Sequence, residues 1–316
     1  MPDPSPSPLR AELAKSGFVI QRSILSAAEL ESLRAAAART TALARSGSWP
    51  DVRTVGKQFP PWTFDPKSPG GGIWGVQGLL HPSLPDAPVF ARSYFGDAVL
   101  GVAKELLGCG DDELVMELFN MLVRPERDFA LRWHRDDVPA DADEAEERRR
   151  LGLDENDEGE GEGGEKKRYW HTQWNLALYP DSSLVVVPGS HARARTPAER
   201  AADPFAPRLP GQLVVELGAG DVVFYDNNIL HRGVYDAARE RMSLHGSVGR
   251  AAGGRLRARN VLQHGVGAWV DRCDFAALGE RGSGDGSRLR ERAEGMRDRL
   301  VSLGRESGEV GYSLTG

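Results

Sequence analysis

From Glu113 onward the chain changes its period. Before that point apolar residues recur at helical spacing; beyond it they alternate, as they do when successive side chains leave a strand on opposite faces. The alternating runs are Glu113–Arg124, Ala130–Asp136, His171–Tyr179, Ser183–Pro188, Gln212–Leu217, Asp221–Phe224, Leu230–Tyr235 and Arg241–Val248. They are short, punctuated by Gly and Pro, and have no helical repeat between them. A parallel sheet needs crossover helices, so such a series closes instead as an antiparallel sandwich or barrel. The run Arg255–Gln263 reads as one further strand.

The remaining chain is helical or irregular. Ser26-Ala-Ala-Glu29 has the form of a capping box, and Leu30, Leu33 and Ala37 carry an apolar stripe on to about Arg45. Phe90–Leu107 has helical spacing up to Gly108, and an amphipathic pattern covers about Arg288–Leu303. Residues 49–85, rich in Pro, Gly and Trp, read as ordered loop with short strands. The expected organisation is a disordered tail over 1–8, a helical and loop region over 9–112 packed on the barrel, the barrel over 113–270, and a helical segment over 271–316.

The formal net charge is −6, and between Ala140 and Arg168 twelve Asp or Glu face six Lys or Arg, which is also −6. The rest of the chain is therefore balanced, with no basic footprint for nucleic acid or an anionic membrane. The 140–168 segment is almost without apolar residues and is expected to be a mobile excursion from the barrel. No apolar run is long enough to span a bilayer, and the start MPDPSPSP lacks a secretion signal's basic and apolar stretches. The two cysteines, Cys109 and Cys273, have no metal-ligand spacing. By default these features favour the cytoplasm.

Chemistry concentrates in two stretches. In LRWHRDD, His134 and Asp136 are two apart and share a strand face, while Arg135 points the other way and Asp137 has the wrong parity. In GDVVFYDNNILHRG an apolar strand and a polar corner lead to His231. Two imidazoles and one carboxylate bind a metal on one side and leave adjacent positions open, as in non-haem Fe(II) oxygenases. Ten residues on, Arg241 and Ser243 share a face. A buried arginine needs an anion, and its fork suits a carboxylate; an inward Arg241 therefore implies an anionic guest, the alternative being an outward surface arginine. The strand His171–Leu178 has one polar face (His171, Gln173, Asn175, Ala177) and one apolar face (Thr172, Trp174, Leu176, Leu178). If the apolar face packs on helices, the polar one lines a wet interior, and Gln173 and Asn175 become candidate contacts for a co-substrate. His245 continues the Arg241–Ser243 face; it, His81, His191 and His264 read first as structural histidines. No nucleophile elbow, phosphate loop or dinucleotide fingerprint occurs.

The segments WHRDD, QWNLALYPDSSLVVVPGSHARA and GDVVFYDNNILHRGVYDAARERMSLHGSVG resemble the phytanoyl-CoA dioxygenase family over about Glu113–Val270. The resemblance implies a double-stranded β-helix of the jelly-roll, cupin-like kind with flanking helices, Fe(II) and 2-oxoglutarate as cofactor and co-substrate, and O2 as oxidant. It implies iron ligation by His134, Asp136 and His231, with Arg241 on the distal carboxylate of 2-oxoglutarate. It also places Met121 at a co-substrate contact. The chain departs from the pattern at Asn175, where the family commonly has Trp, and in the acidic 140–168 segment. The implied reaction is hydroxylation of an unactivated C–H bond of a small-molecule or acyl substrate. Asp136 argues against a halogenase, which needs a small residue there. The alternatives are a non-catalytic metabolite-binding or sensor barrel and a cupin-like metalloenzyme independent of 2-oxoglutarate.

Overall fold

The computed structural model describes residues 7–57, 60, 62, 72–153, 170–279 and 284–307. Its strands are β1 (Phe18–Gln21), β2 (Val52–Thr54), β3 (Ile73–Val76), β4 (Leu114–Val123), β5 (Phe129–Ala130), β6 (His171–Ala177), β7 (Leu184–Val186), β8 (Leu213–Val214), β9 (Val222–Tyr225), β10 (His231–Tyr235) and β11 (Met242–Arg250). They form a seven-stranded sheet, β1-β9-β6-β11-β4-β3-β2, and a four-stranded sheet, β5-β10-β7-β8, antiparallel throughout. The two sheets make the antiparallel barrel that the alternation predicts, in the double-stranded β-helix form that the family resemblance implies. No helix among the described residues is long and apolar enough to cross a membrane.

The helices are α1 (Pro8–Ser16), α2 (Ala27–Arg45), α3 (Ala87–Phe95), α4 (Asp97–Leu107), α5 (Glu144–Arg150), α6 (Pro197–Ala201), α7 (Gly254–Gln263) and α8 (Gly284–Ser307). The capping box of α2 is present, with the Glu29 N–H donating to Ser26 Oγ at 3.3 Å and the Ser26 N–H to Glu29 Oε2 at 2.8 Å. The stretch Phe90–Leu107 breaks into α3 and α4 at Gly96, whose backbone is extended (φ −69°, ψ 153°). Ser7 and Pro8, expected in the tail, instead cap and open α1; the rest of that expectation, residues 1–6, lies outside the described residues. The region before Glu113 does more than pack on the barrel: β1, β2 and β3 extend the large sheet.

Two expectations are corrected. Arg255–Gln263 is helix α7, not a strand. The alternation that suggested a strand comes from Arg255, Arg257 and Arg259, whereas Ala258, Val261 and Leu262 recur at helical spacing and join the main core. The acidic excursion is ordered at its start. Asp143 caps α5 by accepting from the Glu146 N–H at 2.8 Å, and Glu147 is fully buried. The part over 154–168 lies outside the described residues.

Strand parity places the core. Trp174, Leu176, Leu244 and Val248 leave the large sheet outward and pack with Phe90, Tyr94, Leu100 and Met296 of the helices. Each such buried side chain contributes roughly 1.5–3 kcal/mol of transfer free energy. In β11 the register shifts between Gly246 and Val248, and the Tyr94 hydroxyl takes up the bulge by donating to Ser247 O at 2.6 Å and accepting from the Glu117 N–H at 2.9 Å. A Cβ at Gly246 would come within 2.3 Å of Trp174 Cζ2, so the indole fills the space a side chain would need. The opposite parity of the same strands, His171, Gln173 and Asn175 with Ser243, His245 and Ser247, faces the barrel interior, as the polar face of β6 predicts.

Candidate metal centre

The segment expected as a strand over Ala130–Asp136 is regular only at Phe129–Ala130, where it pairs with β10. It then runs loosely until His134 meets His231 as an isolated antiparallel bridge, each N–H donating to the other's carbonyl at 3.0 Å. That bridge sets the two imidazoles side by side, ring centroids 4.3 Å apart. Two residues on, the Asp136 N–H donates to Asn227 O at 2.9 Å, which turns its carboxylate back toward the rings.

Ligand atoms of His134, Asp136 and His231 all lie within 4.8 Å of one another, and they are the one such group of three among the described residues. His134 Nε2 and His231 Nε2 stand 3.6 and 3.8 Å from the same oxygen, Asp136 Oδ1. Each ring's Nδ1 donates to a carbonyl two residues back: His134 to Arg132 O and His231 to Ile229 O, both at 2.8 Å. A carbonyl only accepts, so the ring proton sits on Nδ1 and the Nε2 lone pair points inward. Gln173 Nε2 donates to Asp136 Oδ2 at 2.9 Å and fixes the other carboxylate oxygen. Burial, then the neighbouring His231, pushes His134 down to about 4, so this ring is neutral at ordinary pH. Burial alone would raise Asp136, but the two imidazoles and Gln173 outweigh it and hold the carboxyl below its usual range.

These donors open on a cavity of about 860 Å³ between the sheets. At one end Arg241, one residue before β11, is buried and stacked on Tyr235 at 4.4 Å from the ring centroid. It is not unpaired, as an arginine awaiting a guest would be. Its Nε donates to Asp181 Oδ2 at 3.1 Å, and Ser243 Oγ donates to the same oxygen. Arg241 Nη1, however, is buried with no hydrogen-bond partner. Ser183 completes the carboxylate's partners, its N–H and Oγ donating to Asp181 Oδ1 at 2.8 and 2.5 Å.

Gln173 and Asn175 line the cavity as their strand face predicts, and His245 Nδ1 lies 2.8 Å from Asn175 Oδ1. Met121 does not. It is fully buried in the core shared with the helices, while its neighbour Leu122 lines the cavity. A one-residue displacement along a strand exchanges faces, and the family position falls on the wrong one here. His81 sits between Trp49 and Trp269, ring centroids 5.2 Å from each, and His191 Nε2 lies 3.1 Å from Ala14 O; neither is among the residues that line this cavity. His264, expected to be structural, lines the cavity at the end of α7.

Sequence reasoning missed Asp181, Tyr235 and the ion pair of Glu117 with Arg257, of which Arg257 lines the cavity. In that pair Nε–Oε1 is 2.7 Å and Nη2–Oε2 2.5 Å, and a Cβ at the adjoining Gly249 would stand 2.5 Å from Glu117 Oε1. The polar letter of Glu117 inside the apolar run LVMELFNMLV was the available signal.

No family model matches this sequence, and no curated protein matches it. Solved structures do share the fold. EctD from S. alaskensis, solved with 2-oxoglutarate and 5-hydroxyectoine, is 19% identical with a TM-score of 0.54, over 80% of this chain and 79% of that one. AviO1 from Streptomyces viridochromogenes Tue57 is 17% identical with a TM-score of 0.50, over 76% and 93%. EvdMO1 is 15% identical with a TM-score of 0.52, over 76% of this chain and 49% of that one. At such identities the likeness is one of fold.

Proposed function

We propose that this chain is an Fe(II)- and 2-oxoglutarate-dependent oxygenase acting on a small polar molecule, with the character of the phytanoyl-CoA dioxygenase family. The observation that carries the reading is the convergence of two Nε2 lone pairs on one carboxylate oxygen, with both Nδ1 protons engaged elsewhere. Two imidazoles and a carboxylate at the edge of an open cavity suit a divalent iron with adjacent free positions. The fold neighbour EctD supports the cofactors, having been solved with Fe in one structure and with 2-oxoglutarate in another.

In this reading His134, Asp136 and His231 hold the metal, and Gln173 keeps Asp136 aimed at it. Arg241 takes the distal carboxylate of 2-oxoglutarate through Nη1, the buried donor left without a partner. Asp181 holds the guanidinium by Nε, and Tyr235 supports its face. Trp74, Leu122 and Tyr235 form an apolar corner beside it that excludes water. The chemistry such a centre supplies is O2-dependent oxidation of a C–H bond, coupled to conversion of 2-oxoglutarate to succinate and CO2. The substrate side lies beyond the metal, where His171, Arg257, Asn260 and Gln263 give the wall hydrogen-bonding groups rather than the apolar lining an acyl chain needs.

The pairing of Arg241 with Asp181 favours a second reading, a metal-dependent barrel that does not use 2-oxoglutarate. Adding 2-oxoglutarate to the anaerobic Fe(II) protein separates the two. A charge-transfer band in the visible, with succinate formed on admitting O2, is the expected result. Metal binding without either signal selects the second reading.

A further inference from the structure

Arg135 lies between two of the candidate ligands, and its side chain leaves them for the protein interior, where it is 1% exposed. There Nε donates to Glu147 Oε1 at 2.9 Å. Nη1 donates to Ser190 O at 2.8 Å and to Asn228 O, and Nη2 to Arg193 O at 3.1 Å. Asn228 belongs to the turn that leads into His231, so this one guanidinium ties the segment bearing His134 and Asp136 to the segment bearing the third ligand. The same two segments are laced by the Asp136 N–H to Asn227 O, and by Asn227 Nδ2 donating to the Asp137 carboxylate.

A guanidinium is planar, and its donors leave in fixed directions. Whatever holds Nε therefore determines where Nη1 and Nη2 point. Here that is Glu147 of α5, with a side chain 0% exposed. Glu147 is itself held from two further segments: Arg195 donates through its N–H and Nε, both at 3.0 Å, and Arg200 of α6 through Nη2 at 2.6 Å. A carboxylate clamped by three arginines has little freedom to turn.

We propose that Glu147, in the ordered start of the acidic segment, is a positioning residue for the metal centre: it orients Arg135 and through it fixes the spacing of the His134–Asp136 and His231 segments. The inference rests on the reading of the triad as a metal site. It gives that segment a role the charge pattern does not suggest, since its buried Glu147 anchors the backbone that presents the candidate ligands. Glu199 supplies a matched comparison. It is also buried and pairs with Arg193 through two contacts (2.7 and 2.6 Å), but none of its bonds reaches the segments 134–136 or 226–231.

The test is Co(II) titration of the full-length protein, following the visible d–d bands, with thermal melting and circular dichroism alongside. Glu147→Gln is expected to weaken Co(II) binding roughly 10–100-fold, the range found when partners that orient metal ligands are removed, and to change the band envelope at saturation. Glu199→Gln is expected to bind Co(II) within about twofold of wild type with unchanged bands, whatever it loses in melting temperature. Should Glu147→Gln not fold, Arg135→Lys keeps a cation for Glu147 while losing the contacts to Ser190 and Asn228, and the same metal defect is expected. Wild-type affinity and bands in the folded Glu147→Gln or Arg135→Lys protein would overturn the proposal. So would an equal loss in Glu199→Gln, which would mark general loosening. A folded wild type that binds no Co(II) would instead remove the metal reading itself, and this inference with it.

Discussion

Two buried carboxylates, Glu147 and Asp181, each grip a buried arginine, and they differ in what is left over. At the Glu147 cluster Arg135 has Nε, Nη1 and Nη2 all engaged. At the Asp181 cluster Arg241 gives Nε to the carboxylate and leaves Nη1 buried and unpartnered beside the cavity. A buried donor without a partner carries a desolvation cost of about 1–3 kcal/mol, more on a charged group, which a ligand's carboxylate would relieve. In the proposed reading the satisfied arginine is scaffold, and the one with a donor left over is where the co-substrate carboxylate would bind. Burial and an ion pair are common to both, so neither distinguishes a binding site from a brace.

The largest effect that would sharpen this contrast is on stability. Glu147→Ala strands three guanidiniums, one of them nearly inaccessible, and is expected to cost about 3–5 kcal/mol in urea unfolding. A cost below about 1 kcal/mol, the ordinary worth of an exposed pair, would mean the cluster is no brace. Arg241→Met should leave Co(II) affinity within about twofold and weaken 2-oxoglutarate binding by roughly two orders of magnitude, about 3 kcal/mol, read from the anaerobic Fe(II) charge-transfer titration. Equal 2-oxoglutarate affinity in this variant would make the two arginines alike and end the contrast.

Acid should act on the Asp181 cluster in a defined window. Burial alone would raise Asp181, but Arg241, Ser183 and Ser243 outweigh it and bring the carboxyl down to about 2 from its ordinary 3.8. A depressed carboxyl contributes stability that is complete above its unfolded value and is lost as pH falls through the folded one. The stability advantage of wild type over Asp181→Asn should therefore hold above about pH 4 and shrink by roughly 2 kcal/mol as pH falls toward 2. An advantage that stays flat over that range would show the pair to be weak. Smallest is Ser243→Ala, which removes one hydrogen bond to a charged oxygen and should cost about 1 kcal/mol in urea unfolding, with a minor effect on 2-oxoglutarate.

What was legible in the sequence follows the same division. His134, Asp136, Gln173 and Asn175 could be placed by counting by twos, because strand parity is a local property and survives even the irregular stretch before His134. Arg241 was legible as an inward arginine but not as a paired one, since Asp181 comes from a turn sixty positions away and only the folded barrel brings it near. Met121 failed because parity is unforgiving to an error of one. Glu147 was hidden among twelve acidic residues of a low-complexity run, where nothing local marks it as an acid that turns inward. In α7 the alternating arginines imitated a strand, and the packing of Ala258, Val261 and Leu262 decided for a helix.

The missing side chain at Gly246 has a consequence for the fidelity of folding. Strand β11 carries His245 and Ser247 into the cavity, with Arg241 just ahead of it, and must settle against β6 in one register out of several that would satisfy the same backbone hydrogen bonds. A slip of one residue would turn the cavity-facing set toward the helices and Leu244 toward the cavity. A slip of two keeps every side chain on its proper face, and hydrophobic sorting alone would not reject it. It would, however, bring Leu244 or Val248 opposite Trp174, where only a glycine leaves room for the indole. The glycine thus serves as a proofreading position. It excludes by shape the mispairing that polarity cannot detect, and the cavity-facing side is assembled in a single alignment.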